Sequence, residues 1–298
     1  MPQRGGDKMK ALGLDIGTTS ISATVVDSQT GEVIEYRNVP NGAGIVSKSI
    51  WEKLQDPDLI FQKAKTIIDE LIEKYPEILC VGLTGQMHGI LYIDQNNEAI
   101  SPLYTWQDGR GELLREGKIS YSKYASEETG YKMYTGYGIV THFYNIENGL
   151  FPVEAKYIST ISDYVALKLT KAKTPIMHIS NAAAIGAYDI RNEKIDENAL
   201  RKLKIEPSII PEIISGWVKM GMYLGRSVFC AIGDNQSSFL GSVQNPEKNI
   251  LVNIGTGSQV SVYTNELVSS FSIESVLSDS IELRPFLKKD YLLVGAAL

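Results

Sequence analysis

The 298-residue sequence lacks the features that several large classes of protein require. Its 29 lysine and arginine residues are outnumbered by 35 aspartate and glutamate residues, and the net charge is −6. No long basic run occurs, which argues against a nucleic-acid groove, because such a groove needs clustered cations. No apolar stretch approaches the roughly 20 residues of a membrane-spanning helix. Residues 1–10 lack the apolar core of a secretory signal and are predicted to form a disordered leader. The sequence therefore predicts a globular protein that binds neither nucleic acid nor membrane.

Cysteine is scarce as well. Cys80 and Cys230 both fall in apolar, strand-like runs, ILCVGL and VFCAIG. Such positions are typical of small core residues, and free cysteines favour the reducing cytoplasm. The two cysteines lie too far apart for a zinc motif. No Gly-x-Ser-x-Gly segment occurs, which argues against a serine hydrolase. No GxxxxGK[ST] or GxGxxG segment occurs either, which argues against a P-loop protein and a dinucleotide-binding fold.

What the sequence does contain is the pattern of an α/β protein. Residues 11–37 predict three strands, with a Gly-Thr-Thr-Ser turn after the first and a Ser-Gln-Thr-Gly hairpin before the third. Apolar residues at helical spacing predict a helix over 58–75, which Pro76 ends. A buried strand, ILCVGLTG, follows, then another in GILYID. Residues 111–223 are predicted to be mainly helical, most clearly over 158–169 and 197–203. This order indicates a mixed sheet covered by helices.

The opening pattern recurs near the end of the chain. LGLDIGTTSISATVV and ILVNIGTGSQVSVYT each consist of an apolar strand, a glycine- and threonine-rich turn, and a second strand. A change of composition near residues 221–225 separates the two copies. The repeat predicts two similar domains with a cleft between them, a complete one over 11–223 and the first part of another over 224–298.

Both turns present backbone N–H groups and hydroxyls, which together favour an anion. Two such turns facing each other suit a polyphosphate. Asp15 precedes the first turn, where a buried carboxylate would be costly unless something paired with it. Its position is explained if Asp15 is a ligand, direct or through water, of the Mg²⁺ that accompanies phosphates. The alternative is an ordinary hairpin with a solvated aspartate.

Two further clusters of polar residues follow predicted strands. In Gly233-Asp234-Asn235-Gln236 the carboxylate suits a general base in a cleft, although aspartate is also a favoured helix N-cap. The segments GQMHG (85–89) and TWQDGR (105–110) combine hydrogen-bonding groups with an aromatic ring, as a polyol pocket does. His142 and His178 lie outside these clusters and are assigned a structural role.

These motifs, in this order, resemble the FGGY carbohydrate kinases of the actin-like ATPase superfamily. Residues 11–27 resemble the family's first phosphate motif, 255–258 its second, and 233–236 its catalytic-aspartate motif. ISDYVALKLT and SNAAAIGAYDI resemble further landmarks. GQMHG followed by WxDGR is typical of the family's ketose kinases, and Gln107, Gln236 and NAAAIGAYD favour sedoheptulokinase over xylulokinase. The resemblance implies an actin-like, ribonuclease H-like mixed sheet. It also implies ATP- and Mg²⁺-dependent transfer of the γ-phosphate to a terminal hydroxyl of an open-chain ketose.

The resemblance also implies the roles of individual residues. Asp234 would accept the proton of the attacking hydroxyl, and Asp15 with Asp234 would hold Mg²⁺ through water. The phosphates would be held by the two turns, through Gly17, Thr18, Thr19, Ser20, Gly255, Thr256 and Gly257. The sugar would be held by Gln86, Met87, His88, Asp108, Tyr137 and Asn235. Three alternatives stay open: another ketose kinase such as xylulokinase, a sugar-binding module without turnover, and an actin-like structural protein. The last is disfavoured because GQMHG and TWQDGR have no place in a filament protein.

Members of the family that this chain resembles continue well beyond the point where the chain stops. Its last residues, YLLVGAAL, lie within an apolar strand pattern. The chain is therefore expected to contain the sugar-binding domain and only part of the nucleotide domain, with weak ketose binding and little turnover of its own. The exposed sheet edge expected at this strand suggests a homodimer that covers it.

Overall fold

The computed structural model describes residues 9–254, 258–267 and 281–297. Its principal sheet has seven strands, ordered β5-β6-β4-β1-β2-β3, with β7 also pairing with β4. These are β1 (Lys10–Ile16), β2 (Ser20–Asp27), β3 (Val33–Pro40), β4 (Ile78–Gly85), β5 (Lys219–Tyr223), β6 (Arg226–Phe229) and β7 (Ile232–Gly233). Strand β1 is antiparallel to β2 and parallel to β4, so the predicted mixed sheet is confirmed.

Seven helices occur in the described ranges: α1 (Pro57–Lys74), α2 (Tyr121–Thr129), α3 (Gly138–Glu147), α4 (Ile161–Thr170), α5 (Ile179–Ile185), α6 (Glu197–Lys202) and α7 (Asp234–Ser242). Short 3-10 turns cover Gly109–Glu112 and Pro207–Ile209. Within these ranges no helix has the length and apolar character needed to cross a membrane.

Helix α1 shows why the sequence forms these elements. Asp56 accepts hydrogen bonds from the backbone N–H groups of residues 58 and 59, and Pro57 occupies the first turn, where its missing N–H costs nothing. The apolar stripe, including Ile60, Ala64 and Leu71, is fully buried against β1, β2 and β4. Each large side chain buried in this way contributes roughly 1.5–3 kcal/mol. Helix α4 packs in the same core.

The helix predicted over 158–169 begins later than the pattern suggested. Residues Tyr157–Ser159 form a short strand, and α4 starts only after Thr160. The hydroxyl of Thr160 accepts a hydrogen bond from the N–H of Asp163 and so caps the helix. The sequence pattern assigns the apolar Ile158 to the helix, because a buried strand residue cannot be told from a buried helix residue by its apolar character alone.

A second core lies among α2, α3, α5 and α6, around buried residues such as Tyr92 and Phe143. Four pairs of short strands lie in the same region: Leu91–Ile93 with Tyr157–Ser159, Ile176–His178 with Glu212–Ile214, Leu114–Arg115 with Ile119–Ser120, and Tyr188–Asp189 with Lys194–Ile195. A small three-stranded sheet consists of Gly44–Ile45, Leu54–Gln55 and Leu103–Tyr104. The strand predicted in GILYID is therefore present but lies outside the principal sheet.

A second sheet follows α7. It consists of β8 (Ile250–Asn253), β9 (Ser258–Thr264), β10 (Ile281–Pro285) and β11 (Tyr291–Ala297), in the order β8-β9-β11-β10. Strands β8 and β9 form the antiparallel pair that the repeat predicted. The principal sheet continues through β6 and β7, because both pair with β4, so it extends past the boundary expected at residue 223. The expected leader, 1–10, lies outside the described residues except for Met9 and Lys10, and Lys10 already belongs to β1.

Strand β11 corrects one expectation. It lies between β9 and β10 and pairs with both, so it is not a sheet edge. The edges of this sheet, within the described residues, are β8 and β10. An exposed edge at YLLVGAAL therefore gives no reason for a homodimer. The sheet is joined to α7 by a small core that includes Phe239, Phe286 and Leu292.

Candidate active site

Asp15 lies near the end of β1 but not in the core. Side chains alternate along a strand, and Leu12, Leu14 and Ile16 face α1 and α4. Asp15 therefore points to the opposite face, where it lines a groove of about 730 Å³ between β1, β4 and α7. Asp15 is open to solvent on one side, and the partial burial of its carboxylate in the groove raises its pKa. The acidic residue interrupts the apolar run because it belongs to the cleft face of the sheet.

Asp234 is the first residue of α7. The N-cap of this helix is Gly233, so the aspartate does not occupy the cap position. Burial, together with the negative charge of Asp15, raises the pKa of Asp234 to about 6. The side-chain amide of Asn235 donates a hydrogen bond to Asp234 Oδ1 at 3.0 Å. A divalent cation bound near both carboxylates would offset the repulsion between them.

The first Gly-Thr turn is tied to both polyol motifs through Thr18. Its hydroxyl donates to Gln86 Oε1 at 3.2 Å and accepts from Trp106 Nε1 at 2.9 Å. The Gln55 amide donates to the Thr18 carbonyl at 2.8 Å, and the Gln86 amide donates to Gln55 Oε1 at 2.9 Å. Thr19 is exposed. Because the hydroxyl of Thr18 is already engaged, the turn offers Thr19 and backbone N–H groups to an anion.

Glycine is required at position 17 of this turn. A Cβ there would lie 2.9 Å from the carbonyl oxygen of Ser20, which begins β2. Asn41 holds the turn from the other side, since its amide donates to the Gly17 carbonyl at 2.8 Å. The second predicted phosphate turn, Gly255, Thr256 and Gly257, lies outside the described residues.

His88 and Tyr137 form one wall of a cavity of about 270 Å³. Their rings stack with centroids 4.6 Å apart. His88 Nδ1 lies 2.6 Å from the carbonyl oxygen of Ala184 and must donate to it, which leaves Nε2 as the acceptor. Burial, together with the positive charge of Arg284, lowers the pKa of His88 to about 4. The imidazole is therefore neutral and suited to accept a hydrogen bond from a hydroxyl group.

Strand β10 provides the opposite wall through Glu282 and Arg284, which form an ion pair at 2.8 Å. The Tyr137 hydroxyl donates to Glu282 Oε1 at 3.4 Å. Neither charged residue was identified from the sequence. The signal was present, because the segment IELRP alternates charged and apolar residues and so places both charges on one face of a strand.

Asp108 does not line this cavity. It is fully buried, and its carboxylate accepts from Arg110 Nε at 2.6 Å and from the N–H of Lys53 at 3.1 Å. Its oxygens are thus committed to the fold, and the expectation that Asp108 contacts the sugar needs revision. The pair supports the loop that carries Trp106. Met87 does line the cavity.

Gln86 and Asn235 lie next to the cavity but are not among its lining residues. Gln86 is buried in the Thr18 network described above. Asn235 bonds to Asp234, and its Oδ1 accepts from the amide of Gln259 in β9. Asn235 therefore links Asp234, at the start of α7, to the second sheet.

The carboxylates present fit magnesium only together with other ligands. Within the described ranges, no group of three or more His, Cys, Asp or Glu side chains is gathered for a metal ion. Mg²⁺ is commonly held by one or two carboxylates, with phosphate oxygens and water completing its shell. Asp15 and Asp234 match that donor set.

Known proteins are similar to this chain in sequence. The FGGY family of carbohydrate kinases, N-terminal domain, matches residues 10–240. The gluconokinase of Bacillus subtilis (strain 168) is 27% identical over 215 residues, which are 68% of this chain and 40% of that protein. The sedoheptulokinase of Mus musculus is 25% identical over 281 residues, which are 84% of this chain and 58% of that protein. The chain thus spans about half the length of the curated relatives it matches.

Solved structures share the fold. The ligand-bound xylulose kinase from Lactobacillus acidophilus has a TM-score of 0.81 at 19% identity, over 97% of this chain and 60% of that one. The Plasmodium falciparum glycerol kinase with ADP has a TM-score of 0.79 at 20% identity, over 97% of this chain and 61% of that one. The expected actin-like arrangement of mixed sheet and helices is confirmed. Since the family match covers most of its length, the chain belongs to the FGGY family of carbohydrate kinases.

Proposed function

We propose that this chain acts in an ATP-dependent kinase that phosphorylates the terminal hydroxyl of a ketose, with sedoheptulose as the favoured substrate. The observation that carries the proposal is the pair Asp15 and Asp234 beside a Gly-Thr turn, next to a cavity lined by His88 and Tyr137. Phosphoryl transfer asks a protein mainly for positioning and charge stabilisation, and these residues supply both.

Asp234 is the general base in this proposal. With a pKa of about 6 it is mostly ionised at neutral pH, yet basic enough to take a proton from a hydroxyl group. It accepts the proton of the sugar's terminal hydroxyl as that oxygen bonds to the γ-phosphorus and the bond to the leaving ADP breaks. Neutral His88 accepts a hydrogen bond from another hydroxyl through Nε2, and Tyr137 holds the imidazole in place. Asp15 and Asp234 would hold Mg²⁺, which neutralises phosphate charge when bound.

The sugar is the finer part of the proposal. Gln107, Gln236 and the NAAAIGAYD segment favour sedoheptulose, and the mouse sedoheptulokinase is among the relatives. ADP formation is measured with sedoheptulose, xylulose, gluconate and glycerol, and the substrates are ranked by kcat/KM. Sedoheptulose is expected to rank first. Equal or better turnover of xylulose would overturn the assignment in favour of xylulokinase.

A sugar-binding module without turnover is the second candidate. It is favoured by the cavity lined by His88 and Tyr137, which would hold a sugar equally well without any transfer of phosphate. Calorimetry with each sugar, beside the same kinase assay, separates the two. Saturable sugar binding with no ADP formation at any substrate concentration would support the module and contradict the kinase.

A further inference from the structure

Behind the proposed base lies a pair of buried residues to which no role in the reaction has been assigned. Ser180, in the first turn of α5, is fully buried, and its hydroxyl oxygen accepts a hydrogen bond from the backbone N–H of Gly233 at 2.9 Å. Gly233 is the N-cap of α7, and the next residue is Asp234. We propose that Ser180, oriented by His178, is the positioning residue that holds the start of α7 and therefore the carboxylate of Asp234. The inference rests on the proposed kinase function.

The direction of each hydrogen bond follows from the donors present. His178 Nδ1 lies 2.8 Å from the Ser180 hydroxyl and 3.2 Å from the Ser180 N–H. The backbone N–H can only donate, so Nδ1 is an acceptor and the imidazole proton is on Nε2. The hydroxyl proton of Ser180 is consequently directed at Nδ1. A lone pair of the Ser180 hydroxyl oxygen then accepts the hydrogen bond from the backbone N–H of Gly233.

The fully buried position of His178 maintains this arrangement. Burial lowers its pKa to about 4, while the nearby carbonyl of Leu287 opposes that effect. Nδ1 therefore stays unprotonated at neutral pH and keeps its role as acceptor. Among the described residues, burial and the Leu287 carbonyl, not a charged side chain, determine the pKa of this imidazole, so the pair works as a fixed neutral support.

The start of α7 needs support from outside because Gly233 cannot provide a side-chain cap. A Cβ at this position would lie 2.6 Å from Gln236 Oε1 and 2.7 Å from Met87 Sδ. One of the usual capping residues, serine, threonine, aspartate or asparagine, would fit here only if the side chains of Gln236 and Met87 moved. Ser180 supplies an oxygen from another helix instead.

Helix α5 is itself anchored at this point. Asn181, next to Ser180, donates to the buried carboxylate of Asp163 at 3.2 Å, and Thr160 donates to the same oxygen at 2.7 Å. The oxygen that meets Gly233 is thus held by a chain of buried polar contacts rather than by a flexible surface loop. This rigidity is what a positioning residue requires.

The test compares Ser180→Ala with Ser162→Ala and Ser180→Thr in the full chain. Ser162 is also fully buried, and its hydroxyl contacts Thr160 rather than Gly233, so it is the matched control. Hydrogen exchange of the peptide spanning 232–236 is followed by mass spectrometry. Loss of one hydrogen bond is expected to speed exchange about fivefold in Ser180→Ala. The Ser162→Ala and Ser180→Thr variants should match the unmutated chain.

The same variants are assayed as kinases. Ser180→Ala should lower kcat about tenfold with KM within about twofold, since the base is displaced while the His88–Tyr137 wall of the sugar cavity is kept. Ser180 also lines this cavity, so a larger rise in KM with kcat unchanged would overturn the inference in favour of a direct sugar contact. Ser180→Thr should restore kcat. Unchanged exchange at 232–236 in a folded Ser180→Ala variant would overturn the inference. If the unmutated chain has no kinase activity, the proposed function fails, and the exchange comparison still decides whether Ser180 holds Gly233.

Should Ser180→Ala not fold, selective ¹⁵N-glycine labelling of the unmutated chain replaces it. A Gly233 amide protected from exchange is the expected result. Exchange at the rate of a solvent-exposed glycine would overturn the inference.

Discussion

Replacing Asp234 with asparagine tests the proposed base, because this change removes the charge and leaves the shape. The oxygen that accepts from Asn235 is retained, so the start of α7 and the cavity should persist. A general base contributes typically 10²–10⁴-fold, so kcat should fall by that factor, or about 2.7–5.5 kcal/mol. Ketose affinity should change little, since the cavity walls are untouched.

The same substitution should stabilise the fold. A carboxyl whose pKa rises from 3.8 to about 6 on folding weakens the folded state at high pH. The cost is absent below the unfolded pKa, grows between pH 4 and 6, and is fully present above. That rise corresponds to about 3 kcal/mol as an upper value at pH 7. Asp234→Asn should therefore be about 1–3 kcal/mol more stable at pH 7, and the gain should vanish below pH 4.

Three measurements check these expectations: ADP formation, calorimetric titration with ketose, and urea unfolding at pH 7 and pH 4. Asp94→Asn is a suitable control, because Asp94 caps a surface turn by accepting from the N–H of Asn96 at 2.8 Å. Near-full activity of Asp234→Asn would remove this residue from the mechanism. A loss of stability at pH 7 would show that the ionised carboxylate stabilises the folded state, whereas the raised pKa predicts that it destabilises that state.

Four further outcomes are expected. Asp15→Ala should weaken Mg-ATP binding severely while ketose binding, measured by calorimetry, stays nearly intact; equal loss of both would mean that Asp15 supports the fold. Asp15→Asn should lower the pKa of Asp234 seen by ¹³C-carboxyl NMR, because a neighbouring negative charge is removed; an unchanged titration would contradict their coupling. Tyr137→Leu should raise the ketose Kd about 2–12-fold through loss of stacking on His88, whereas Tyr137→Phe should change it less than about twofold. Asp108→Asn should destabilise the protein by about 3–5 kcal/mol in thermal unfolding, because the buried Arg110 keeps only the more distant carboxylate of Glu52, at 4.0 Å; a wild-type melting temperature would refute this.

Local sequence patterns predicted the elements that local forces determine. Helix α1 was found because a capping aspartate, a first-turn proline and a helical stripe of apolar residues all agree. The hairpins around the two Gly-Thr turns were found because glycine, threonine and β-branched residues indicate turn and strand together. The order of the motifs, and the family that they resemble, then assigned Asp15, Asp234 and His88 to one predicted site.

Properties that depend on distant partners were not predictable in this way. The burial of Asp108 depends on Arg110 being enclosed by aromatic rings, including that of Tyr104, which sequence order does not reveal. The link from Ser180 to Gly233 joins residues 53 positions apart. Glu282 and Arg284 face the cavity only because β10 is placed opposite Tyr137 by the second sheet. Each of these contacts depends on tertiary packing, which the local secondary-structure propensity of a segment does not predict.

The interior place of β11 has a consequence for the order of assembly. Within the described residues, β10 has no other strand partner, and β9 and β10 touch only through β11. During synthesis, β10 must therefore wait for β11 before it can join a sheet. The cavity wall that carries Glu282 and Arg284 should be the late-forming part of the site, whereas the His88 and Tyr137 wall belongs to a core that can close earlier. A ribosome-bound chain shortened before residue 291 should thus contain the stacked His88–Tyr137 wall without the ion pair that faces it.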